Sequence, residues 1–240
     1  MRRVPVLILT GSVLVLLVVA CGVSVAVHGG GPFGIDQTVM SHVVAHRSST
    51  WTSIVQVVTF FFSPGAVTLW TAIVALGLTI RDRSAYRALP LVAAVVVAGA
   101  VGELTKILVN RPRPPIAAQI GAPESTFSYP SGHVTGTAAF VVAVVVVVAA
   151  TWPRAARSLA WAMATVVVLV AAATRLYLGV HWVSDVAAGM CLGTAVVLTV
   201  PAATAAATPT VLDRIPRLRA YLTPPTAEPR LPDLATSHHR

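Results

Sequence analysis

Charged residues are scarce in this sequence. Only 10% of its 240 residues are Asp, Glu, Lys or Arg, where a water-soluble domain carries about 25%. That shortage excludes an ordinary soluble enzyme. Lysine is almost missing, with Lys106 the single example beside sixteen arginines. Acidic residues number eight, which leaves a formal charge of +9. In a soluble chain such a surplus would point to nucleic acid. Here the basic residues are thinly spread between apolar runs, so they read as membrane-orientation signals and nucleic acid is not an expected partner. Cysteine is scarce too. Cys21 and Cys191 both lie in apolar stretches and read as small hydrophobes rather than as a disulfide, a metal pair or a redox couple.

Apolar residues fill the space that charge leaves. They make up 56% of the chain, and the mean hydropathy is +0.80. Six runs read as membrane spans: Pro5–Val27, at 23 residues long enough to cross about 30 Å of hydrocarbon, then Ala66–Ile80, Leu89–Val109, Val134–Ala150, Ser158–Thr174 and Val183–Val200. Val18 to Cys21, following Arg2-Arg3 and an apolar run, has the look of a lipoprotein cleavage site. The run continues past Cys21 to Val27, however, which favours an uncleaved span. The runs are rich in Val, yet they lack the alternation of a membrane barrel, and isolated strands cannot satisfy their backbone in lipid. The expected fold is therefore all-α: an integral membrane bundle of six helices. Its parts are a first membrane helix (1–28), an outer loop with one interfacial helix (29–62), a core of five spans (63–207) and a Pro- and Arg-bearing tail (208–240) expected to be disordered. The Pro at 64 reads as a kink in a second span entering from Val57.

Arginine placement sets the expected orientation. With six spans, both termini share a side with loops 81–87 and 151–157, and that side collects 12 of the 17 basic residues. Both termini are therefore expected in the cytoplasm.

Charges inside or beside spans are costly and point to function. Three clusters stand out: Lys106 through Arg113-Pro114, then Pro130-Ser131-Gly132-His133, then Thr174-Arg175 with His181 and Asp185. Parity of the spans brings all three to one membrane face. Lys106, Arg113 and Arg175 are three cations with too few acidic partners nearby, a set suited to phosphoryl oxygens. Ser131-Gly132-His133 stands where a helix begins, so free N–H groups and the positive helix end would meet an anion. His181 and Asp185 are four apart, so the carboxylate is expected to hold one ring nitrogen and leave the other free as a nucleophile. His133 is then available as the acid for the leaving oxygen. Arg111 reads as a solvated loop charge, Glu103 as a partner for Lys106, and His28, His42 and His46 as solvated. No cluster has clear metal-ligand spacing, so neither metal nor other cofactor is expected.

These residues resemble the type-2 phosphatidic acid phosphatase superfamily, which shares its phosphate site with vanadium haloperoxidases. Its signature is K-x6-RP, then PSGH, then SR-x5-H-x3-D. The chain matches it in order and spacing, with Thr174 in place of the usual Ser. The resemblance covers roughly residues 60–200. It implies that His181 attacks phosphorus to form a phosphohistidine, that Asp185 orients it and that His133 protonates the leaving group. Lys106, Arg113, Ser131, Gly132 and Arg175 would bind the phosphoryl group, and no metal would be needed. The substrate implied is a lipid phosphomonoester or diphosphate, with undecaprenyl or another polyprenyl diphosphate favoured and phosphatidic acid or phosphatidylglycerol phosphate close behind. A lipid phosphotransferase and a non-catalytic lipid-binding membrane protein are the rival classes. The oligomeric state has no signature in the sequence.

Overall fold

A computed structural model describes residues 3–122 and 124–214. The described residues form eight α-helices and two short 3-10 turns, without a strand. Six helices are long and apolar enough to cross a membrane: α1 (Arg3–Val27), α4 (Pro64–Asp82), α5 (Ala88–Val109), α6 (Gly132–Val148), α7 (Arg154–Tyr177) and α8 (Val183–Arg214). The protein is thus a multi-pass membrane bundle. Its spans fall close to the six expected apolar runs.

The segment between the first two spans differs from its sequence reading. It holds two helices, α2 (Gly34–Ala45) and α3 (Ser49–Phe60), where a loop with one interfacial helix was expected. Local caps explain the breaks. Asp36 accepts the Phe33 N–H at 3.0 Å at the start of α2, and Ser48 Oγ accepts the Trp51 N–H at the start of α3. Nor is Pro64 a kink. Ser63 Oγ accepts the Ala66 N–H at 3.2 Å and Pro64 takes the first helical position of α4, where its missing N–H costs nothing. A new helix begins there.

Helices α6 and α8 form the centre, with half or more of their apolar windows buried (50% and 56%), whereas only 17% of the α1 window is buried. They meet backbone to backbone. A Cβ placed on Gly193 would stand 2.4 Å from Thr135 O and 2.9 Å from Ala139 N, so only glycine permits this approach. The exposed Val and Leu faces of α1, α5 and α7 are the surface a bilayer would cover. Helix α8 continues to Arg214, so residues 208–214, read as tail from sequence, extend the last helix. The remainder of the expected tail, 215–240, lies outside the described residues.

One end of the bundle gathers the turn after α1, the end of α5, the start of α6 and the turn between α7 and α8. Ser131 N–H donates to Asp185 O at 3.1 Å and Ser128 N–H to Arg111 O at 2.9 Å. Gly179, at φ +70°, makes the last of these turns possible. A Cβ there would lie 2.0 Å from Ala118 O.

Candidate active site

At that end of the bundle the three sequence clusters converge around His181, which sits in the turn just before α8 and is 1% exposed. Its Nδ1 lies 2.9 Å from Ser128 O, and its Nε2 lies 3.1 Å from Arg113 Nη1. A carbonyl only accepts and a guanidinium only donates. Both contacts therefore select the tautomer with the proton on Nδ1 and a lone pair on Nε2. Burial pushes the imidazole below its ordinary pKa; Asp185 opposes that shift, and Arg113 and Arg175 reinforce it. The ring is neutral, and its Nε2 pair accepts from Arg113.

The expected hydrogen bond from His181 to Asp185 is not formed. Oδ2 of Asp185 stands 3.6 Å from Nδ1, beyond hydrogen-bond reach, and the Ser128 carbonyl takes its place. The reason is local. His181 precedes the helix, so the four-residue spacing does not put the two side chains on one helical face. Asp185 instead occupies the third helical position and accepts the Trp182 N–H at 2.9 Å, while its other oxygen accepts from Arg111 Nη1 at 2.6 Å.

Arg113 is anchored by its Nε to Thr126 O at 2.7 Å and by Nη1 to Val180 O at 2.8 Å. Arg175, in the last turn of α7, donates from Nη1 to Thr59 Oγ1 of α3 at 3.1 Å, and Thr174 Oγ1 reaches the same hydroxyl at 3.3 Å. The two arginines share one carboxylate. Glu124 Oε2 forms an ion pair with Arg113 Nη2 at 2.7 Å, and Oε1 accepts from Arg175 Nη2. Burial alone would raise the Glu124 carboxyl, but Arg175 and Arg113 outweigh it and hold the group below the ordinary carboxylate range, helped by its proximity to His181 and His133.

Lys106, buried in the last turn of α5, pairs with Glu103 at 2.7 Å, as expected. Its Nζ lies 3.3 Å from where a Gly132 Cβ would stand, so the ammonium covers the first turn of α6. The free N–H groups of that turn face the same space. Ser131 Oγ is buried without a hydrogen-bond partner, a donor left over for a ligand. The half-buried His133 ring follows it, two residues along the same turn. All eight residues singled out from sequence thus lie around one cleft. The count of acidic partners needs correcting, because Glu103 and Glu124 between them engage all three cations.

Arg111 is the larger correction. Read as solvated, it is fully buried. Nη1 donates to Asp185 at 2.6 Å and to Ser184 Oγ at 2.7 Å; Nη2 donates to Asp36 Oδ2 at 2.7 Å. Asp36, also fully buried, accepts from the Ser184 N–H at 2.9 Å. Asp36, Arg111 and Asp185 form an alternating row of charge that ties α2 to the start of α8. Asp36 and Glu124 went unassigned in the sequence, although in a chain with eight acidic residues each one was a candidate partner for a cation.

Comparison with known proteins bears on the fold and the family. Among solved structures, the crystal structure of a transmembrane PAP2-type phosphatidylglycerolphosphate phosphatase from Bacillus subtilis is similar, with a TM-score of 0.69 and 20% identity, covering 82% of this chain and 96% of that one. That likeness is one of fold. No curated protein matches significantly. The family model of the PAP2 superfamily matches residues 87–209, just over half of the chain and the stretch that carries all three clusters. The chain belongs to the PAP2 superfamily.

Proposed function

We propose that the protein hydrolyses a lipid phosphomonoester or diphosphate at the outer membrane face, through a phosphohistidine and without a metal. One observation carries the reading: a neutral, buried imidazole points its lone pair at Arg113, which shares a bound anion with Arg175. In this mechanism His181 Nε2 forms a bond to phosphorus as the bond to the leaving oxygen breaks, and His133 gives that oxygen its proton. Water then attacks the phosphohistidine, His133 takes the water's proton and free phosphate leaves. Lys106, Arg113, Arg175, Ser131 Oγ and the amides from Gly132 onward offset the phosphoryl charge. The Nδ1–H stays on Ser128 O throughout, and Asp185 at 3.6 Å balances the positive ring. A groove of about 210 Å³ between α4, α5 and α6, lined by Val67, Val95, Gly99 and Gly136, runs to Gly132. It supports a substrate whose tail stays in the bilayer.

The test is phosphate release by purified protein, in the presence of EDTA, across a panel in mixed micelles. The panel holds polyprenyl diphosphate, phosphatidic acid and phosphatidylglycerol phosphate, the last being the substrate class named for the B. subtilis protein. Release is expected with chelator present and without an acceptor alcohol, which separates hydrolysis from transfer. His181→Ala should lower turnover by at least about 10³-fold, and His133→Ala should form phosphoenzyme only slowly. Near-normal release by the His181→Ala protein would overturn the nucleophile assignment.

A further inference from the structure

Glu124 occupies the place where a ligand anion has to go. Its two oxygens divide between Arg113 and Arg175, whose side chains are 6% and 4% exposed, whereas Glu124 itself is 32% exposed. Among the described residues its side chain makes no hydrogen bond besides the one from Arg175. Arg113 reaches in the same instant to His181 Nε2 at 3.1 Å, so the carboxylate stands one guanidinium away from the nitrogen assigned as nucleophile. A phosphoryl group attacked by that nitrogen needs the same two forks for its oxygens. The carboxylate and the phosphoryl group cannot hold them together.

Two buried guanidinium groups without a counter-ion would be expensive. Glu124 relieves that cost in the ligand-free protein, and it does so from a loop with a path to solvent. We propose that Glu124 is a resident competitor for the phosphoryl seat: it fills the seat in the empty enzyme, and a phosphate-bearing ligand binds by displacing it into the solvent it already touches. The inference rests on the phosphatase reading for the identity of the ligand. Its consequence is a raised threshold. A tethered carboxylate weakens every ligand of the seat by one common factor. A lipid phosphate has tail contacts in the groove to offset that loss, whereas free phosphate, the product, has only the seat. The competitor thereby keeps product from saturating the site at concentrations where substrate still binds.

Calorimetric titration of inorganic phosphate into the purified full chain tests this, with wild type, Glu124→Gln and Glu124→Asp compared. Glu124→Gln keeps the shape and loses the charge, and should bind phosphate about ten- to hundredfold more tightly, the worth of a charge-assisted hydrogen-bonded pair. Glu124→Asp, too short to reach both forks, should fall between. The inhibition constant of phosphate and the KM for lipid should drop by the same factor. A structural role for Glu124 in holding the two arginines would move affinity the other way. Unchanged or weaker phosphate binding by Glu124→Gln therefore overturns the proposal and leaves the phosphatase reading intact. If Glu124→Gln does not fold, Glu124→Asp binding no tighter than wild type overturns it equally. Failure of wild type and both variants to bind phosphate at all overturns the phosphatase reading itself.

Discussion

His181 has no choice of tautomer, because an acceptor faces one ring nitrogen and a donor the other. Its protonation therefore has a definite effect on chemistry: a proton on Nε2 removes the lone pair and sets two cations against each other. Burial lowers its pKa from the ordinary 6.5, with Asp185 opposing and Arg113 and Arg175 reinforcing; Glu124 and His133 are the other titratable groups facing it. The sign follows. The neutral ring persists below pH 6.5, so the acid limb of kcat/KM assigned to His181 should lie below that value. Between its lowered pKa and 6.5 an unfolded chain binds a proton that the folded one does not, so stability should also decline as pH falls through that window. A pH–rate profile on a soluble phosphomonoester checks this. An acid limb above 6.5 would overturn the lowered pKa of His181. Arg113→Gln removes one facing cation and should move the limb upward, toward 6.5, besides raising KM.

The row Asp36–Arg111–Asp185 acts between elements, joining α2, the loop after α5 and the start of α8. Removing Arg111 as Leu leaves two buried carboxylates without their shared cation, a loss of about 3–5 kcal/mol. Asp36→Asn is milder: with its amide oxygen in the Oδ2 place it still accepts from the Phe33 N–H and Arg111, its NH2 can donate to Ser184 Oγ, and only the Ser184 N–H loses its acceptor, so it should cost about 1–3 kcal/mol. Unfolding midpoints of the purified variants in one detergent should rank wild type, Asp36→Asn, Arg111→Leu. Equal midpoints for wild type and Arg111→Leu would deny the row its structural weight. This row is also where the sequence was least legible. An Arg between Asn110 and Pro112 and an Asp in a mixed segment 75 residues away carry no shared spacing, and only the folding of α2 back onto α8 brings them together. Glu124 was hidden for a similar reason: Arg113 shares its irregular loop without a regular spacing, and Arg175 lies on α7. The helical-face expectation for His181 and Asp185 failed because it assumed a helix two residues before the helix starts.

The bundle as a whole was far more legible, because hydrocarbon imposes a length. About 20 apolar residues per crossing leave a signal that no packing detail can erase, and all six runs became helices of that kind. The three clusters were legible through parity, since an odd number of spans between any two would have parted them. Helices α2 and α3, at twelve residues each, gave no such length signal. Orientation is the remaining property of the whole chain, and it rests on arginine. In the six-span reading of the sequence, twelve of the 17 basic residues are assigned to the side of residues 81–87 and both termini, a bias that would place the site outside. Single cysteines can decide it. Tyr86 is 48% exposed between α4 and α5, and Ser125 is exposed beside the cleft; the native Cys21 and Cys191 lie within spans and are replaced by Ala. In intact cells a membrane-impermeant maleimide should label Ser125→Cys, and should label Tyr86→Cys only after permeabilisation. Labelling of both from outside would break the six-span parity that brings the clusters together. The reverse pattern would keep the bundle but turn the site to the cytoplasm, so that a lipid phosphate presented only at the outer leaflet could not be its substrate.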